Sequence, residues 1–427
     1  MIVIIEASGF RSLDKFRMKL VPGINILVGP NGGGKSNIIG LFRFIGLMVT
    51  QGLSSAVSET GGPNHVFRQL PDGKLCNNFK ARVVGIVTPE DQEEEEEEHI
   101  AVMYDYSFSV ILQRSALSFG KQSLTLYILK EPGRKGRSPF LKVQGSDQRG
   151  FEVSNLIVKD LGLNALPEGH TKRAQIVQDI RAVAQSAKWQ PQCLLDRLSG
   201  PLFRVWCVME DLSKGLMLNV DPGIAMQPQS FGAEAGLLST GKGLPATLLE
   251  IRNNDRSAYR RIEELLKLAN TEIAGVKVKS NKRDATHNIF LQMSSEKDKT
   301  IELPLSAMSD GTIKWLVLVT GVEHYKRTLA GFIIEEPENF LHPWMQQEIM
   351  KLLKEIAEEN PLTTILVSTH SETILNCATA DEVCVCSMEG GVTRVDRAKN
   401  AEELEKMIRE SGFGLGHFYL AGAVEHE

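Results

Sequence analysis

One stretch limits the fold more than any other: GPNGGGKSN, Gly29 to Asn37. It fits the pattern G-x-x-x-x-G-K-[ST] through Gly29, Gly34, Lys35 and Ser36, and its flanks supply the context that pattern requires. Ahead of it, Ile24-Asn25-Ile26-Leu27-Val28 is a short β-branched and aliphatic run that predicts a buried strand. Behind it, Ile38 to Val49 is apolar almost all round and predicts a buried helix. In a strand, glycine loop, helix arrangement the segment Pro30, Asn31, Gly32, Gly33, Gly34, Lys35, Ser36 and Asn37 wraps a phosphate chain with successive backbone N–H groups. Lys35 is then expected to reach the β- and γ-phosphates and the Ser36 hydroxyl to ligate Mg²⁺. The plainer alternative, a glycine-rich turn that binds nothing, has no use for these flanks. A bound nucleoside triphosphate is the expectation.

A chain of 427 residues with 42% apolar residues can bury a large core, and the length allows two or three domains. The net charge of −5 gives no global basic field, so any nucleic-acid binding needs a local patch. The cysteines (Cys76, Cys193, Cys207, Cys377, Cys384, Cys386) lack zinc-site spacing. Cys384 and Cys386 would project from one face of a strand, as small buried hydrophobes in a reducing compartment. The opening MIVIIEASGF lacks a basic region and a cleavage site and reads as a first strand. No apolar run approaches a membrane span, so a soluble, cytoplasmic protein without membrane contact is expected.

In chain order, residues 1–70 read as strand, turn, strand, glycine loop, helix, then a Gly/Ser/Thr/Pro-rich connector from Thr50 to Pro71. The turn Gly9-Phe10-Arg11-Ser12 places Arg11 either near the nucleotide or in solvent. Residues 71–154 carry strand-like segments at Phe79–Thr88, Ile100–Leu112, Ser123–Leu129 and Phe140–Val143, at hairpin spacing, which predicts an antiparallel lobe. The unbroken run Glu93 to Glu98 repels itself and predicts a hairpin tip. A basic tip, Arg134-Lys135-Gly136-Arg137, follows. Residues 155–299 read as mainly helical, with helices over Ala174–Trp189, Leu244–Arg252 and Tyr259–Asn270 and a hairpin whose Lys277, Lys279, Lys282 and Arg283 form the better candidate for nucleic-acid contact.

Residues 300–427 supply what triphosphate chemistry still needs, a metal-supporting acid and a group that orients the attacking water. Gly331 to Glu338 is an apolar strand ending in paired carboxylates. Glu335 is expected to support the metal and Glu336 to act as general base. Pro343 opens a helix over Trp344–Glu359. The β-branched strand Thr363–Val367 then runs into Ser368-Thr369-His370-Ser371, which places His370 to hydrogen-bond the γ-phosphate or the attacking water. Upstream, Ser309 and Gly311 stand at the N-terminus of an apolar helix over Ile313–Val322, a second anion-binding geometry. One nucleotide's γ-phosphate is already held by the glycine loop, so the simplest use of the second site is the nucleotide of a partner subunit.

Together these residues resemble the ABC-type ATPase heads of the SMC/RecF/OLD group, especially compact stand-alone ATPases related to the OLD family. GPNGGGKS resembles Walker A, FIIEEPE Walker B, MSDGT the signature motif, ENFLHP the D-loop region and STHS the switch histidine. The resemblance covers roughly residues 1–70 and 300–427. It implies an α/β P-loop NTPase head with split halves, an antiparallel β-lobe and a helical insertion. It further implies ATP and Mg²⁺ as cofactors and a head-to-tail homodimer or higher oligomer. Each ATP would be held by the Walker A of one subunit and by Ser309 and Gly311 of the other. Relatives serve in DNA repair, chromosome maintenance and anti-phage defence, often with a nuclease, so a separate effector protein is expected and DNA is a candidate ligand. Three departures stand out. Glu335 replaces the usual aspartate, Asp310 and Thr312 replace the glycine and glutamine of transporter signatures, and the segment after His370 is too short for a Toprim nuclease domain. Gln69, Gln144 and Gln192 are all candidates for the Q-loop glutamine.

Overall fold

A computed structural model of the chain describes residues 1–88, 101–114, 116–129, 139–146, 150–156, 178, 182, 193–200, 202–213, 215–233, 235–295, 299–326, 331–398 and 400–424. The acidic run Glu93–Glu98, the basic tip Arg134–Arg137, Gln192 and nearly all of the helix expected over Ala174–Trp189 lie outside the described residues. The chain divides into two compact units. Met1–Pro22, Gly29–Gly215 and Cys386–Asp396 form the first, and Gly23–Val28, Leu216–Val385 and Arg397–Glu427 the second.

The first unit opens with β1 (Ile2–Ser8) and β2 (Phe16–Lys19); β3 (Gly23–Val28) belongs to the second. Helices α1 (Lys35–Gln51) and α2 (Leu53–Glu59) follow, then β4 (Asn78–Val87), β5 (Val102–Gln113), β6 (Ala116–Ile128), β7 (Pro139–Ser146) and β8 (Gly150–Leu156), and the helices α3 (Leu194–Ser199) and α4 (Phe203–Ser213). Seven strands form one sheet in the order β2-β1-β4-β5-β6-β7-β8, antiparallel throughout. Alternation sets the faces: in β2, Phe16 and Met18 are buried while Arg17 and Lys19 are exposed. An aromatic cluster joins this sheet to α1, with Phe44 edge-on to Phe79 at 5.4 Å between ring centroids and Phe10 at 5.7 Å from Phe44. The glycine loop is thereby carried on a helix whose apolar face is fixed against the sheet. The connector expected over Thr50–Pro71 is corrected: α2 forms there, because Leu53, Ala56 and Val57 fall on one face and are buried.

The second unit comprises β3, most of β9 (Gly215–Leu218), α5 (Pro222–Ala225), β10 (Gln229–Ser230), α6 (Leu244–Asn254), α7 (Arg256–Ala269), β11 (Ile273–Asn281), β12 (Thr286–Ser295), β13 (Lys299–Pro304), α8 (Asp310–Tyr325), β14 (Gly331–Glu335), α9 (Pro343–Glu359), β15 (Thr364–Ser368) and α10 (Glu372–Leu375). After β16 (Val383–Glu389) and β17 (Val392–Arg397), which pass between the units, it ends with α11 (Ala401–Ser411) and α12 (Leu415–Leu420). A six-stranded sheet has the order β17-β16-β3-β15-β14-β9, in which β16, β3, β15 and β14 pair parallel. These strands are apolar on both faces, as parallel strands covered on both sides must be. Helix α8 is buried from Ile313 to Glu323, and Trp315 Nε1 donates to the Leu265 carbonyl of α7 at 2.7 Å. The strand, glycine loop and helix at Gly29–Asn37, the parallel sheet and the antiparallel lobe give the α/β P-loop ATPase class expected from the sequence. No helix among the described residues is long and apolar enough to cross a membrane.

Candidate nucleotide site

In the first unit the glycine loop is closed by its own backbone. The Gly33 N–H donates to the Pro30 carbonyl at 3.0 Å, and the Gly34 carbonyl accepts from the N–H groups of Asn37 and Ile38, which starts α1. Gly34 is left-handed (φ 97°), and a Cβ there would collide with the Thr393 side chain, so only glycine fits. Lys35 is buried and folds back over the loop, its Nζ donating to the carbonyls of Gly29 at 2.9 Å and Pro30 at 3.2 Å. Pro30, Asn31, Gly32 and Ser36 are exposed. Asn37 Nδ2 donates to Ser12 Oγ at 2.6 Å, and Ser12 Oγ lies 2.6 Å from Thr393 Oγ1. Arg11, left-handed at φ 45°, donates through Nε to the His65 carbonyl at 2.7 Å and through a terminal nitrogen to the Ser36 carbonyl at 3.5 Å. It therefore stands beside the loop rather than out in solvent. A cavity of about 430 Å³ is lined by Arg11, Ser12, Asn37, His65, Arg68 and Gln69 among others. Of the two described Q-loop candidates, Gln69 shares this cavity with the glycine-loop residue Asn37, whereas Gln144 lies within β7 opposite Ser123 and Glu152.

In the second unit, hydrogen-bond register aligns the strand ends. Leu27 of β3 pairs with Ser368 of β15, and Ser368 with Glu335 of β14. The ladder continues one step further: the Thr369 N–H donates to the Leu27 carbonyl at 3.0 Å, and the Glu336 N–H to the Ser368 carbonyl at 2.9 Å. The carboxylates, the segment leading to His370 and the last residues before the glycine loop thus share one sheet edge, where α/β sheets bind ligands. Glu335 Oε2 accepts from Asn219 Nδ2 at 2.7 Å. Glu336 is left-handed (φ 43°), a strained state for a residue with a side chain, and its Oε2 accepts from Asn339 Nδ2 at 2.8 Å. Its carbonyl accepts from the Nζ of Lys314 at 2.8 Å. Lys314 is 2% exposed, and burial pushes its ammonium down to about 8 against the opposing pull of Glu338 and Glu336. Glu338 Oε1 accepts the backbone N–H of His370 at 2.6 Å, while its Oε2 is buried with no hydrogen-bond partner among the described residues. The His370 side chain is exposed. Ser309 caps α8, its Oγ accepting from the Thr312 N–H at 3.3 Å. A Cβ on Gly311 would meet the Phe340 carbonyl, so glycine lets α8 and the turn after Glu336 approach closely.

Sequence reasoning missed Asn219, Lys314, Glu338, Asn339 and Thr393. Asn219 follows the apolar run Gly215–Leu218, which is short enough to pass for loop, and Lys314 is a lone cation in an apolar helix, a pattern that itself signals a buried partner. In the hairpin favoured as a basic patch, one carboxylate, Glu302 of β13, is shared by Lys277 at 3.1 Å and by Lys279, which offsets part of the charge of those two lysines. Those lysines hold the Glu302 carboxyl below the usual carboxylate range, Lys279 first. A more basic surface lies in the first unit, a concavity of about 600 Å³ lined by Lys15, Arg17, Lys80, Arg82 and Lys121. Glu6 and Asp105 pair with the two arginines; Lys15, Lys80 and Lys121 carry no ion pair among the described residues.

Residues 242–376 match a family model described as "AAA domain, putative AbiEii toxin, Type IV TA system". The match contains Ser309, Lys314, Glu335, Glu336, Glu338 and His370. A search of curated proteins finds no match. Among solved structures, an SMC head bound to the C-winged helix domain of ScpA is similar at 15% identity, covering 92% of this chain and 97% of that one, with a TM-score of 0.49. The SMC head domain from Thermotoga maritima is similar at 13% identity, covering 93% and 99%, with a TM-score of 0.40. An Smc head domain with an extended coiled coil, bound to the C-terminal domain of ScpA and derived from Pyrococcus furiosus, is similar at 15% identity, covering 96% and 99%, with a TM-score of 0.47.

Proposed function

We propose that the chain binds and hydrolyses ATP and acts as a head-to-tail dimeric switch. The alignment of Leu27, Ser368 and Glu335 in one row of the parallel sheet carries this reading, because it sets the Walker B carboxylates and the His370 segment at the strand end from which the glycine loop departs. The glycine loop, with Gly34, Lys35 and the N-terminus of α1, holds the triphosphate. Ser36 and Glu335 each offer the kind of hard oxygen that Mg²⁺ takes, an ion that uses one or two protein oxygens and leaves the rest of its shell to phosphate and water, and we assign the ion to them. When bound, it would neutralise developing phosphate charge. Glu336 draws the proton of the attacking water, His370 hydrogen-bonds the γ-phosphate or that water, and Lys35 stabilises charge on the transferred group. Ser309 and Gly311 act on the partner subunit's nucleotide. ATP closes the dimer, hydrolysis reopens it, and the motion gates an effector such as a nuclease, with anti-phage defence as the context.

The deciding experiment is complementation in trans. Ser309→Arg and Lys35→Ala proteins, each inactive alone, should recover ATPase activity on mixing, because the mixed dimer contains one intact composite site. No recovery, with both variants folded, would overturn the head-to-tail arrangement. A second reading, a clamp on DNA for repair or chromosome maintenance, is favoured by the basic concavity around Lys80 and Lys121.

A further inference from the structure

We propose that Lys314 is a positioning residue that ties the start of α8 to the turn bearing Glu336, so that engagement of Ser309 by a partner's nucleotide is transmitted to Glu336 and His370. The inference rests on the ATPase reading above and assigns a coupling element within that site.

The turn from Glu336 to Phe340 is held by α8 at both ends. At its start, Lys314 Nζ grips the Glu336 carbonyl at 2.8 Å; at its end, the Gly311 backbone sits so close to the Phe340 carbonyl that no Cβ would fit. The Lys314 ammonium also lies 6.0 Å from the centre of the Phe340 ring. Both terminal residues of the turn are left-handed, Glu336 at φ 43° and Phe340 at φ 67°, conformations that persist only where the surroundings impose them. Inside the turn, Glu338 holds the His370 N–H. A shift of the first turns of α8 therefore moves the Glu336 carboxylate and the His370 backbone together. A lysine whose only task was to fill the core would be a poor choice, since burying its ammonium is costly and methionine occupies similar space.

The test compares full-length wild type, Lys314→Met and Lys314→Arg for ATP affinity, turnover at saturating ATP and thermal midpoint. Lys314→Met should bind ATP within about threefold of wild type yet turn over roughly 10- to 100-fold more slowly, the loss expected when one charge-assisted hydrogen bond is removed. Lys314→Arg, which keeps a cationic donor, should recover part of the rate. In a double-mutant cycle Lys314→Met should add little to Glu336→Gln, because both act through one group. Turnover within twofold of wild type, or additive losses, would overturn the proposal. If Lys314→Met fails to fold, Lys314→Gln takes its place in the same measurements. If wild type itself hydrolyses no ATP, the functional reading fails instead. The tie is then read by amide exchange, where Lys314→Met should speed exchange at Asn339 and Leu341, whose N–H groups bond within the turn. Unchanged protection would sink it.

Discussion

Glu338, the last residue of the Walker B-like FIIEEPE, accepts the backbone N–H of His370 at 2.6 Å, so a carboxylate given no role of its own by the motif fixes where the His370 backbone stands. Removing that acceptor frees the His370 segment without touching the glycine loop. Glu338→Ala should lower turnover about tenfold or more while leaving ATP affinity within about twofold, consistent with a charge-assisted hydrogen bond of about 1.5–3 kcal/mol. Steady-state kinetics with an independent binding titration check this; a parallel fall in affinity would mean that Glu338 holds the nucleotide itself.

Asn219, the residue just after the neighbouring strand β9, donates to Glu335. Outer partners of metal-supporting carboxylates typically matter 10- to 100-fold for metal affinity or activity. Asn219→Ala should therefore shift the Mg²⁺ concentration for half-maximal ATPase activity upward by about tenfold, with the maximal rate largely recovered at high Mg²⁺. An unchanged Mg²⁺ dependence would remove Asn219 from the site.

The glycine loop should fail in two different ways. Lys35→Ala removes a charge and should abolish tight ATP binding while the fold persists. Gly34→Ala meets the Thr393 side chain at a left-handed position and should lower the thermal midpoint as well as binding. Calorimetry beside nucleotide titration separates the two, and tight binding by Lys35→Ala would overturn the Walker A assignment.

Burial lowers the Lys314 ammonium from an ordinary 10.5 to about 8. Below pH 8 the lysine is charged both folded and unfolded, and its desolvation weakens the fold. Between about 8 and 10.5 the folded chain has released a proton that the unfolded chain retains, so stability gained from this group rises with pH. The stability of wild type relative to Lys314→Met should grow across that window, by up to about 3 kcal/mol. Denaturation at pH 7.5, 9 and 10.5 checks the sign; other groups titrating there are common to both proteins and cancel.

For the DNA-binding reading, Lys80→Glu with Lys121→Glu should weaken binding and flatten its salt dependence, by about one log–log slope unit for each phosphate that is no longer neutralised. Reversal of Lys277 and Lys279, already paired with Glu302, should do less. The opposite ranking, measured by anisotropy at several salt concentrations, would move the interface to the hairpin.

How far the chain could be read in advance follows from where each signal is stored. The glycine loop, β14 and β15 are legible because motif and apolar run coincide within a few residues. The expected Trp344–Glu359 helix is α9 with Pro343 added, since proline's fixed φ suits a helix's first position. Helix α2 was hidden because serines and glycines dominate its surroundings while three small or apolar residues decide its burial. Strand β13, Lys299–Pro304, carries too few apolar residues to stand out, and without it Glu302 could not be matched to Lys277 and Lys279. Asn219 and Lys314 escaped for the same reason: each is one polar residue whose partner lies over a hundred or some twenty residues away.

The parallel pairing of β3 with β15 also sets a timetable for the ribosome. Gly23 emerges roughly 340 residues before its register partner Thr364. At about 5–20 residues per second, β3 waits about 20 to 70 seconds for β15, the first of its two ladder partners to emerge. The antiparallel lobe, built from neighbours in sequence, can form meanwhile. During that interval the apolar strand that feeds the glycine loop is a natural client for a chaperone, and a pause in translation before residue 364 would lengthen its exposure.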